Sequence, residues 1–117
     1  MTIIDISIVQ RNSGNDDKVA MQLLEMGLTR IKESIEEINS TYSNGDWELL
    51  CRCVHKLRPM LNFCGITEIT DQLLEIEKNI KEKQEINVEK NEIDSILEYL
   101  SSARAEVEKL VQDGGFN

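Results

Sequence analysis

Breakers are scarce in this chain: one proline and six glycines in 117 residues. Aromatic residues make up 4%, β-branched residues are scattered singly, and no apolar/polar alternation runs long enough for a strand. A sheet is therefore excluded and an all-α protein expected. Cations are also in short supply. Thirteen Lys and Arg stand against 22 Asp and Glu, a net charge of −9, which argues against a general nucleic-acid binder. No apolar run approaches the ~20 residues of a membrane span. The opening Met-Thr-Ile-Ile-Asp-Ile-Ser has no basic region, so it is not a signal peptide. Three cysteines in no framework spacing suit a reducing, cytoplasmic compartment. Cys51 and Cys53, with a single distant histidine, fall short of the four ligands of structural zinc, so no metal site is expected. A glycine-rich phosphate loop is missing too; Gly65-Ile66-Thr67 is not one, and neither ATP binding nor kinase activity follows.

The apolar share, 40%, suffices for a core, and the length fits one domain over residues 1–117. Residues 1 to about 14 form an N-terminal segment with a short helix over about 4 to 10, residues 15–112 a helical bundle, and 113–117 a flexible tail. Asn15 or Asp16 can cap the second helix. Its apolar stripe is Ala20, Leu24, Ile31, Ile35, Ile38 and Tyr42, and Gly27 within it allows close helix packing. Ser43-Asn44-Gly45 stops it and Asp46 caps the next. That helix has the stripe Trp47, Leu50, Val54, Leu57, Leu61 and Cys64. Gly65 ends it and Thr67 restarts the chain, with Ile66, Ile69, Leu73, Ile76 and Ile80 as the next stripe. Lys81 to Asn87 turns the chain. The last helix carries Ile93, Ile96 or Leu97, Leu100, Ala103, Val107 and Leu110. Four amphipathic helices with short connections predict an antiparallel up-down four-helix bundle preceded by a short extra N-terminal helix.

One window differs chemically. Residues 49–67 contain no Asp or Glu, where the chain average would place about 3.6. The window holds Arg52, Lys56, Arg58 and the chain's one histidine, His55. At 100° per residue His55 points about 125° away from the stripe, toward solvent, with Arg52 and Arg58 about 60° to either side. Cys51, Pro59 and Asn62 are its neighbours on that face. A solvent-facing imidazole among guanidinium groups suits a neutral nucleophile that acquires negative charge, and a phosphoryl group fits. Taken alone, a surface histidine with no second histidine for partner is more often inert.

These residues resemble the motif of histidine-containing phosphotransfer (HPt) domains, H-x-L-K-G followed six residues later by Gly. The chain reads His55-Lys56-Leu57-Arg58-Pro59, then Gly65, then Leu73-Leu74-Glu75-Ile76-Glu77. An Asp-Ile-Ser opening at Asp5 and Asn-Gly-Asp-Trp before the histidine helix extend the likeness over nearly the whole chain. The resemblance implies a phosphorelay intermediate. His55 would accept a phosphoryl group at Nε2 from the aspartyl phosphate of a response-regulator receiver domain and pass it to another receiver. Arg58, where the family has Lys, would hold the phosphoryl oxygens, and Lys56 would add positive potential. Glu77 would accept a hydrogen bond from Nδ1, a task to which Gln is equally suited. Cys51, Arg52, Pro59 and Asn62 would form the receiver-docking face. The receiver would supply Mg²⁺, and the expected partners are receiver domains and a hybrid sensor histidine kinase, with the chain itself a monomer. Pro59 in place of the motif's Gly removes a hydrogen bond to the His55 carbonyl and should kink the helix. Two alternatives stand beside this reading: a degenerate HPt-like bundle that docks without transfer, and an unrelated helical adaptor. Met1 and the closing Gly-Gly-Phe-Asn suggest a free-standing chain.

Overall fold

The computed structural model describes residues 2–82 and 85–114. Among these the regular structure is helical, in five elements: α1 (Ile6–Asn12), α2 (Asp17–Ser43), α3 (Trp47–Phe63), α4 (Thr70–Glu82) and α5 (Lys90–Gln112). Residues 83–84 of the expected turn and 115–117 of the expected tail lie outside the described residues. Each of the first three helices opens on an aspartate that satisfies free N–H groups of the first turn. Asp5 accepts from Ser7 N (3.0 Å), Asp16 from Lys18 N (2.9 Å) and Asp46 from Leu49 N (3.2 Å). The choice between Asn15 and Asp16 therefore falls on Asp16, while Asn15 adopts φ 60° in the link. The short helix begins at Ile6 rather than residue 4, because Asp5, with an extended backbone, is its cap and Ile4 is buried ahead of it.

The core takes the predicted stripes. Ala20, Leu24, Ile31 and Ile38 of α2 meet Leu50, Val54, Leu57 and Leu61 of α3, Leu73 and Ile76 of α4, and Ile93, Ile96, Leu100, Ala103 and Val107 of α5. Leu97 is only half-buried, so Ile96 is the inward residue. α2 packs on α3 and α5, α3 also packs on α4, and α1 crosses the end of α2 and α3. α4 and α5 pair less closely than these neighbours, and a groove of about 850 Å³ opens between them. Gly27 brings α2 against α3: a Cβ there would stand 2.5 Å from Cys64 Sγ.

The α3–α4 connection is longer than the glycine spacing suggests. Gly65, at φ 74°, closes α3 with Ile66 N bonded to Leu61 O (2.8 Å) and Gly65 N to Asn62 O (3.2 Å), a Schellman ending. Thr67 does not start the next helix. Its carbonyl accepts from Thr70 Oγ1 (2.7 Å), a local turn that delays α4 to Thr70. Ile66 and Ile69 are buried in that connection instead of on a helix face. Asp5 N donates to Gly65 O (2.8 Å), and the backbone N–H groups of Ile3 and Ile4 donate to the Glu106 carboxylate at 2.9–3.1 Å. The N-terminal segment thereby ties the α3–α4 connection to α5. Pro59 does not end α3, which runs on for a further turn to Phe63.

Candidate functional site

His55 stands in the middle of α3, one residue after buried Val54, and its side chain is 61% exposed. Across from it, α4 presents Glu77 four residues after Leu73, on the stripe that faces the interior. Glu77 is consequently buried, with a side chain 3% exposed. Among the described residues it is the one buried carboxylate. An ionised carboxylate in such a place needs partners for its oxygens, and each oxygen has one. Oε1 lies 2.8 Å from His55 Nδ1, and Oε2 accepts from Arg58 Nε. Arg58, three residues after His55, is one-quarter exposed. The chain thus joins Arg58, Glu77 and His55 in a row, from residues 19 and 22 positions apart in sequence.

The guanidinium groups expected on either side of His55 are both paired with carboxylates. Arg58 is turned onto Glu77, and Arg52 pairs with Glu48 across one turn (3.2 Å) at the surface. The window free of acids in sequence is not free of them in space, because α4 and the first turn of α3 carry carboxylates into it. Lys56 is exposed on the α3 surface. The expected part of Gln at position 77 also changes, since an amide offers one accepting oxygen and this site has two donors.

Of the four residues assigned to the docking face, Arg52, Pro59 and Asn62 are exposed. Cys51 is not: only 7% of it reaches solvent. It lies on the side of α3 that α4 covers, and burial pushes its thiol up from the ordinary value. It lines a groove of about 510 Å³ that runs beside His55 between Trp47, Ile80, Lys81 and Ile86. Periodicity assigned Trp47 and Ile80 to the core; both are half-buried and wall this groove, since they sit at the ends of their stripes. Phe63, two turns beyond His55 on α3, is 53% exposed, a feature the stripe analysis passed over because it belongs to no stripe.

Among the described residues no three His, Cys, Asp or Glu side chains gather as ligands for a metal ion. None of the described helices is long and apolar enough to cross a membrane. A family model described as the Hpt domain matches residues 22–112. No curated protein matches the sequence. Among solved structures the fold is similar to the 1.80 Å crystal structure of the HPT domain from an Hpt sensor hybrid histidine kinase of Shewanella. The TM-score is 0.83, with 20% identity over 95% of each chain.

Proposed function

Because the chain belongs to the Hpt domain family, and so to the carriers of histidine phosphotransfer in phosphorelays, we propose that His55 is its phosphoacceptor. The observation that carries this is the 2.8 Å contact between Glu77 Oε1 and His55 Nδ1. A carboxylate accepting from Nδ1–H fixes the proton on that nitrogen and leaves the Nε2 lone pair free. With the ring largely exposed, an incoming aspartyl phosphate reaches Nε2. The Nε2 lone pair forms the P–N bond, the acyl phosphate P–O bond breaks, and the receiver aspartate leaves with the electron pair as a carboxylate. His55 keeps its Nδ1 proton, and the positive charge that develops on the ring is balanced by Glu77.

In this reading the chain is a carrier and has no autonomous kinase activity. Its partners are receiver domains, which bring their own Mg²⁺, and a hybrid kinase upstream, all in the cytoplasm. In-line transfer needs donor and acceptor within a few Å, so the receiver seats on the exposed surface around His55, over Arg52, Pro59 and Asn62. The unrelated-adaptor reading falls with the family match. A bundle that docks without transfer is separated from a carrier by experiment. Incubation with a phosphorylated receiver should add the mass of one phosphoryl group, in an acid-labile, base-stable adduct. His55→Gln should stay folded, since the side chain lies off the core, and should take up none. Undiminished uptake by that variant would refute the assignment.

A further inference from the structure

The charge of the chain is unevenly placed. Residues 68–113 hold 13 acids and six cations, so they carry −7 of the net −9. The bundle leaves one side open to these carboxylates. α4 packs on α3 and α5 on α2, while the α4–α5 side remains the groove of about 850 Å³. Its walls carry Glu75 and Glu82 of α4 and Glu92 of α5, over the buried side chains of Ile76 and Ile96. A smaller groove of about 430 Å³ adds Glu68, Glu98 and the half-buried ring of Tyr99. The two share Gln72 and Ser95, so they form one trough. It runs along the flank of α4 away from Glu77 and His55, neither of which lines it.

Five carboxylates line the trough, with Lys78 the one cation beside them. Among the described residues none of the five forms an ion pair, and Glu68 accepts from Tyr99 Oη at 3.3 Å. Like charges on facing walls repel, and cations seated between them remove that cost. The acids do not converge on one point, since among the described residues no three of them gather as ligands for a metal ion. They are strung along the helices instead. On the α5 wall, Asn91 to Ser102 covers about 16 Å, which matches about five residues of extended chain. The aliphatic stems of Lys and Arg suit a floor of Ile76 and Ile96 while their heads reach the carboxylates, and the Tyr99 ring offers a face to a guanidinium group. A second copy of this chain is no match. The cations of its acid-free stretch lie on α3, where Arg52 and Arg58 are already paired.

We propose that the α4–α5 trough is a second docking site, occupied by an extended Lys- and Arg-rich segment of a partner protein. The site stands apart from the reading of His55 as phosphoacceptor and does not rest on it. With a receiver over His55 on the α3 surface, the trough stays accessible, so the two occupants bind at once.

The probe is a fluorescein-labelled octapeptide of alternating Arg and Ala, titrated into the full chain at about 0.1 M salt, where charges more than about 10 Å apart are largely screened. Binding should shift the backbone amide signals of residues 72–82 and 91–102 and leave those around His55 in place. Glu75→Gln, Glu92→Gln and Glu98→Gln combined should weaken binding about 10-fold, a few-fold for each exposed ion pair lost. The same charge removed from the exposed face of α2, by Glu25→Gln, Glu33→Gln and Glu36→Gln together, should change it less than about 2-fold. Ser95→Tyr fills the waist of the trough from an exposed position and should block binding with every carboxylate intact. Thermal melts confirm that each variant is folded. Equal weakening by the two triple variants, or undiminished binding to Ser95→Tyr, would overturn the proposal and reduce the attraction to the net charge of the chain. Phosphoryl uptake from a phosphorylated receiver should proceed unchanged with the peptide bound. A peptide that competes with the receiver would place its site on the His55 face instead.

Discussion

Replacing Gly65 by alanine tests how the N-terminal segment is held to the bundle. Two effects act at this position. The backbone sits at φ 74°, where a Cβ costs about 1–2 kcal/mol. That Cβ would also collide with the carbonyl oxygen of Asp5, and moving the two chains apart breaks the 2.8 Å bond from Asp5 N to Gly65 O. A lost hydrogen bond is worth about 0.5–1.5 kcal/mol, and the displaced N-terminal segment loses burial of Ile4 and Val9 besides. The sum is about 2–4 kcal/mol. Gly45 provides the control, with nearly the same φ of 65° and nothing within 4 Å of its Cβ. Gly45→Ala should therefore lose only the conformational part, about 1–2 kcal/mol. Urea unfolding of both variants isolates the contact term by difference, and hydrogen exchange at Ile3 to Val9 should rise in Gly65→Ala alone. Equal losses of stability in the two variants would show that the Asp5–Gly65 approach contributes nothing.

Truncation of Leu57, which is fully buried, to alanine should lower unfolding free energy by about 2–5 kcal/mol, read from the shift in urea midpoint. Burial pushes the thiol of Cys53 up to about 12, with Glu37 adding to it, and that of Cys64 up to about 11. The folded state thus holds these protons more tightly than the unfolded chain, so stability is intact below pH 9 and declines as pH rises from there toward the raised values. Thermal melts between pH 7 and 11 should show this, and a thiol reagent at pH 8 should label the native protein far more slowly than the urea-unfolded one. At the proposed docking face, Pro59→Trp should weaken receiver binding and transfer together with the melting temperature unchanged, and Pro59→Gly should preserve both. Transfer by the Trp variant at the parent's rate would move the interface elsewhere.

Much of the fold was legible because its signals are local. Helix caps depend on side chains two or three residues from the N–H groups they satisfy, which is why Asp46 could be placed, and the cap of α2 narrowed to Asn15 or Asp16, without a structure. Stripes such as Leu50, Val54, Leu57 and Leu61 reflect the 3.6-residue turn, a property of the backbone alone. The outward direction of His55 followed from the same arithmetic. Thr67 was misjudged because its bonds to Thr70 compete with helix formation over three residues that carry no apolar signal against it.

The chemistry of the site was legible only in part. His55 and its cations share one helix, so their spacing fixed their positions on α3, but what they touch depends on α4. Glu77 is 22 residues away from His55, and along α4 it is one acid among several; packing of Leu73 and Ile76 against α3 is what turns it inward while Glu75 stays exposed. The same packing covers Cys51, which helical geometry alone placed beside His55 on an open face. Gly65 announced a turn, but the need for hydrogen in place of a side chain comes from Asp5, sixty residues earlier in the chain. Sequence determined each helix and the face it shows, because those follow from the nearest few residues. Which carboxylate meets which cation, and whether it does so out of reach of water, was decided by the helix pairings of the bundle, since charges interact through space and desolvation and not along the chain.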